Sequence, residues 1–112
     1  MDMYAKCRML SKAQEVFVEL LVQDIALWNT LIAGYGQCGY NEEAVNYFMQ
    51  MQDEGLSPDE ISYVHVLKAC GSIVCLKMGE EMHTEIAKQR LLENNIILST
   101  AVVDMYAKYA LL

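Results

Sequence analysis

Three observations predict an all-α fold of short antiparallel helix pairs. Apolar residues recur at three- and four-residue intervals, and no segment alternates with period two long enough to make a strand. Cap and stop residues punctuate the apolar segments at regular distances. The pentapeptide DMYAK occurs twice, at Asp2–Lys6 and Asp104–Lys108, 102 residues apart. A sequence that returns to the same uncommon pentapeptide after that distance points to a repeat architecture in which 102 is a whole number of units.

The elements follow in order. In SKAQEVFVELL, Ser11 with Gln14 has the capping-box pattern, and Ala13, Val16, Phe17, Leu20 and Leu21 form an apolar stripe. LWNTLIAGYGQC places Leu27, Leu31, Ile32 and Tyr35 at helical spacing. Gly39 ends that helix, and Asn41 is placed to cap the next, whose stripe is Ala44, Val45, Phe48 and Met51. Gly55 stands where a left-handed C-cap is wanted. SPDE reads as a further start, with Ser57 as cap, Pro58 at the first helical position and Glu60 closing the box. ISYVHVLKAC and LKMGEEMHTEIAKQ form another pair split near Gly71, and LSTAVVDMYAK opens one more helix. Helix pairs with a period near 34 residues indicate a solenoid of about seven helices, some truncated.

Composition narrows the function classes. The 112 residues are 54% hydrophobic and 21% charged with one Pro, which excludes a disordered or low-complexity chain. No apolar run reaches the length of a membrane span. The first residues carry neither a signal-peptide pattern nor an Arg-rich transit pattern. Cys7, Cys38, Cys70 and Cys75 include no C-x-x-C, and His65 and His83 lack H-x3-5-H spacing. Neither metal binding nor disulfides are therefore expected, and Cys7 and Cys38 read as small thiols in a helix–helix seam. No cofactor is implied.

Two motifs invite catalytic readings and fail on context. Gly34, Gly36 and Gly39 fit G-x-G-x-x-G, but a dinucleotide site needs a strand before those glycines, and the preceding segment is helical. His83 to Glu85 supplies the H-x-E half of a zinc deaminase, whose zinc shell also needs a downstream P-C-x-x-C. No cysteine follows Cys75. The chain is read as a non-enzyme, with His83 on a helix packing face.

Ile25 to Asp59, IALWNTLIAGYGQCGYNEEAVNYFMQMQDEGLSPD, resembles one complete pentatricopeptide repeat, in length and in the placement of WNTLIAGY, EEAVNYFMQM and GLSPD. Residues 60–95, with VLKAC and GEEMH, resemble the long variant found in plant organellar proteins of this family. Residues 1–24 resemble the remainder of a short variant, and residues 96–112, with TAVVDMYAK, the start of another. Units of 31, 35 and 36 residues then separate one DMYAK from the next. The pentapeptide thus belongs to the short member of a short–standard–long triplet. On this reading the chain is a fragment of about three repeats, beginning and ending inside first helices. A tetratricopeptide-like solenoid for protein–protein contacts is the alternative. Its Leu-Gly pair after the tryptophan is missing, because Ile32 follows Leu31.

The resemblance implies a right-handed α-solenoid whose first helices line a groove for single-stranded RNA, one base per repeat. It implies an organellar transcript as partner, in mitochondrion or chloroplast, with editing-complex proteins alongside and neither membrane nor small-molecule substrate. The fifth and last side chains of each repeat would read the base. These are Asn29 with Asp59 in the complete repeat, a pairing that implies uracil. Val64 with Asn95 in the long repeat has no clear preference. Asp24 ends the first repeat, and Thr100 is the fifth residue of the last. Ala26 would stack on the base, and Lys6 and Lys108 would face phosphates. Net charge of −7 opposes RNA binding. Its distribution softens this: on first-helix segments four cations meet three carboxylates, leaving the acidity to the second helices. Arg8 and Ala110, where the short repeat usually has Gly, and Tyr109, in place of its Cys, depart from the pattern.

Overall fold

The computed structural model describes residues 7–20, 23–73 and 75–111. Among them are six α-helices and no strand: α1 (Leu10–Glu19), α2 (Ile25–Gln37), α3 (Asn41–Asp53), α4 (Glu60–Ile73), α5 (Leu76–Lys88) and α6 (Ile96–Ala110). Consecutive helices pack against each other, and α4 also packs on both α2 and α6. The result is a helical-repeat solenoid in which α2, α4 and α6 form one layer. None of the helices in the described residues is long and apolar enough to cross a membrane.

The core runs continuously through the repeats. Ala44, Val45, Phe48 and Met51 of α3 are all buried, as their spacing predicts, and Phe48 packs on Tyr63 of α4 at 5.9 Å between ring centroids. Trp28 of α2 is fully buried, with Phe17 of α1 edge-on to it at 4.8 Å and 78°. In α1 the predicted stripe is largely bare: only Phe17 is buried, while Val16 and Leu20 are exposed. Leu21 lies outside the described residues. His83 does sit at a packing face, its Nδ1 3.0 Å from the Tyr106 hydroxyl.

Turns follow the glycines. Gly39 and Gly55 adopt φ of +86° and +89°, a left-handed backbone that a Cβ penalises and glycine tolerates. The turn after α5 reaches the same region without glycine, at Arg90 and Asn94. Gly34 and Gly36 lie inside α2, so no strand leads into the glycine triplet.

Several caps differ from expectation. α1 begins at Leu10 without a side-chain cap, so Ser11 and Gln14 form no box. Asn41 is the first residue of α3 instead of its cap. Ser57 and Pro58 precede α4, which starts at Glu60 on a cap from Asp59.

The larger correction concerns cysteine. Cys7 and Cys38 form a disulfide, with Cα atoms 5.5 Å apart and a separation of 31 positions in sequence. Spacing rules that look for local Cys pairs miss it because the two residues occupy the same register in successive repeats, and stacking brings them together. Closing a loop of that length constrains the unfolded chain by about 3–4 kcal/mol. Cys70 and Cys75 stay free.

Candidate nucleic-acid interface

Asp24, Asp59 and Asn95 share one structural role. Each precedes a first-layer helix and accepts, at 3.0 Å, the backbone N–H three residues on: Leu27, Ser62 and Leu98 respectively. An Asp or Asn here satisfies an amide that the helix start leaves without a partner.

At Asp59 the cap is extended into a network. Asn29, on α2 of the preceding repeat, donates from Nδ2 to Asp59 Oδ1 at 3.0 Å. The Ser62 hydroxyl accepts from the Asp59 N–H at 3.2 Å and donates to Asn29 Oδ1 at 2.5 Å. An ionised carboxylate only accepts, so the amide nitrogen must face Asp59 and the amide oxygen Ser62. Asn29 and Ser62 are both buried, which makes the arrangement rigid. Burial opposes ionisation of Asp59. Hydrogen bonds from Ser62 and Asn29 outweigh that and hold its carboxyl below the ordinary value of 3.8.

This network borders a groove of about 540 Å³ lined by Ala26, Asn29, Asp59, Ile61 and His65, among others. Ala26 and Ile61 are exposed and occupy the same place in successive repeats, 35 residues apart. A second hollow of about 350 Å³ continues from His65 to Gln37, Lys68, Ser72 and Lys108. Burial and the Lys68 ammonium both push the His65 imidazole below 6.5, against a smaller opposing effect of Asp59. Lys108 crosses α4 at Gly71, where a Cβ would stand 3.1 Å from its Cδ, and its Nζ pairs with Asp104 at 3.2 Å.

The other sequence-derived residues are not gathered into such a network. Val64 is half-buried against the core, and Asn95 makes only its cap contact and lines a separate shallow hollow with Ser99 and Thr100. Asp24 caps α2 and is exposed. Lys6 lies outside the described residues. Ser62, Ile61, His65 and Lys68 had not been singled out. Ile61 was accessible to the repeat period, as the counterpart of Ala26, whereas Ser62 carries no signal in the sequence that distinguishes it from an ordinary helix serine.

Among the described residues no group of His, Cys, Asp or Glu is placed to hold a metal ion. The geometry offers instead a polar, pre-ordered edge beside an open groove with cations further along.

Comparison with known proteins agrees with the repeat layout. A model of the PPR repeat family matches residues 23–72, and a PPR repeat model matches residues 1–25. A pentatricopeptide repeat-containing protein of Arabidopsis thaliana is 42% identical over 107 residues, covering 96% of this chain and 15% of the relative. A chloroplastic member from the same plant is 38% identical over 107 residues, covering 96% and 13%. A putative mitochondrial member is 32% identical over 108 residues, covering 96% and 18%. The chain therefore spans less than a fifth of the length of these relatives. With helix pairs in series, a first-layer groove and matches along most of its length, this chain belongs to the pentatricopeptide repeat family.

Proposed function

We propose that the chain is a sequence-specific, non-catalytic module for single-stranded RNA within an organellar protein of the short–standard–long type, serving transcript editing or processing. The observation that carries this reading is the buried Asn29–Asp59–Ser62 network at the edge of the groove. One Nδ2 hydrogen of Asn29 is committed to Asp59, and on this reading the second is the donor offered to a base. A fixed N–H donor suits the O4 carbonyl of uracil and opposes the N6 amino group of adenine. Ala26 and Ile61 flank the same space as apolar contacts for the base faces, and Lys68 and Lys108 lie along the continuation where a phosphodiester chain would run. Residues 1–24, 25–59, 60–95 and 96–112 are the corresponding short, standard, long and short units.

The test is fluorescence anisotropy of a labelled single-stranded RNA carrying uracil or adenine at one central position, over a salt series. One well-formed hydrogen bond of about 1 kcal/mol predicts about fivefold preference for uracil, with affinity falling as salt rises. Equal affinity for both RNAs, or no salt dependence, contradicts the proposal. The protein-interaction alternative gains from that result only if the chain also self-associates or binds a helical partner.

A further inference from the structure

We infer that Cys7 and Cys38 are a thiol–disulfide exchange site, opened by a dithiol reductant, that sets how firmly the first two helical layers are held. The bridge joins the segment before α1 to the end of α2. Packing around α1 is sparse among the described residues. Of α1 only Phe17 is buried, and an apolar hollow of about 270 Å³ remains between Leu10, Phe17, Leu31 and Gly34. At the α4–α6 seam, by contrast, Val66, Leu67, Ala101, Val102 and Met105 are buried, and the Tyr109 hydroxyl donates to Cys70 O at 3.2 Å. Tyr109 stands in the same repeat register as Cys7, 102 residues on. Where packing is extensive a hydrogen bond serves, and where it is sparse a covalent bond takes its place.

Accessibility separates this pair from Cys70, and the absence of a bonded partner separates Cys75 from it. Cys7 and Cys38 are half-exposed, so a thiolate can reach a sulfur of the bridge. Cys70 is fully buried and its thiol is pushed up to about 12, first by burial and then by Cys75, which leaves it protonated and unreactive at neutral pH. In the exchange, a reductant thiolate attacks one sulfur of the bridge and displaces the other as a thiolate. The second thiol of the reductant then resolves the mixed disulfide. Two electrons and two protons pass to the protein, giving two thiols, and the reductant leaves as its own disulfide. Oxidation by a small disulfide runs the same steps backwards. Because α2 carries Asn29, release of α1 loosens the support of the base-reading edge. That consequence rests on the RNA reading proposed above, whereas the exchange itself does not.

The experiment compares the 112-residue chain after incubation with oxidised glutathione and with dithiothreitol. Thiol titration in denaturant should count two thiols in the first state and four in the second, with peptide mapping joining Cys7 to Cys38. Reduction should lower Tm by about 10 °C or more, the shift that loss of such a bridge implies for a domain of this size. The Cys38→Ser variant should melt like the reduced chain in both buffers, and wild type alone decides the matter if the variant does not fold. Four thiols after oxidation, a bridge mapped between Cys70 and Cys75, or an unchanged Tm overturns the inference. Anisotropy with the uracil RNA should show several-fold weaker binding after reduction. Equal binding in both states refutes the link to the groove. No binding in either state, with the thiol count and Tm as predicted, refutes the RNA reading and leaves the exchange site standing.

Discussion

Successive repeats hold corresponding residues in different ways. Between α2 and α4, Asn29 and Asp59 meet across two helices and Ser62 locks them, so two polar side chains are held in one geometry at the groove. One repeat on, between α4 and α6, the corresponding places are Val64 and Asn95, 35 and 36 residues further on. Val64 turns to the core, Asn95 only caps α6, and the counterpart of Ser62 is the buried Leu98. Both repeats start a helix with an Asp or Asn, and only one adds a second and third polar group. The same backbone position is therefore a cap in all three places and part of a wider polar network only where its neighbours are polar.

The largest test of that contrast is stability. Asp59→Ala removes the cap and leaves the Asn29 amide and Ser62 N–H with less than their full set of partners. The expected loss is about 2–4 kcal/mol, against about 1 kcal/mol for Asn95→Ala, which removes a cap alone. Urea unfolding of the two variants checks the difference, and equal losses would mean that the network adds nothing to the cap.

Next in size is the pH dependence at Asp59. Its carboxyl is held below 3.8 in the fold, so its ionised form contributes stability above the unfolded value. That contribution is lost as pH falls through the lowered folded value. The stability advantage of wild type over Asp59→Asn should thus be full at pH 6, decline below about pH 4, and vanish in stronger acid. A gap that stays constant from pH 6 to pH 2 would show that Asp59 acts through shape alone.

The smallest expected effect is a transplant. Val64→Asn with Asn95→Asp reproduces two of the three polar groups in the long repeat. Without a hydroxyl at position 98 to orient the amide, the uracil preference gained at the adjacent nucleotide should be only about twofold, a fraction of one hydrogen bond. A preference matching that of the standard repeat, read by the same anisotropy assay, would show that Ser62 is dispensable.

The wider contrast between α1 and α3 shows what could be read in advance. The α3 stripe of Ala44, Val45, Phe48 and Met51 was legible because α3 packs against both α2 and α4, so an apolar face had neighbours to bury it. The stripe of α1 had the same spacing and stays mostly exposed among the described residues, because amphipathicity records a face that can be buried and not whether anything covers it.

By itself the sequence determined the helices, the helix stop at Gly39, the left-handed turn at Gly55, the repeat period and the family, since each rests on residues close together in the chain or on a distance along it. The family resemblance also paired Asn29 with Asp59, which the structure joins by a hydrogen bond. Tertiary structure alone decided that Ser62 joins them, that His65 and Lys68 continue the groove, that Asp59 instead of Ser57 caps α4, and that Cys7 and Cys38 meet. The reason is geometric. Each of these contacts either crosses between repeats or depends on which residue the stacked helices leave at a helix start. Local patterns specify a helix to within a residue or two, whereas a hydrogen bond or disulfide is decided within a fraction of an ångström by how the helices stack.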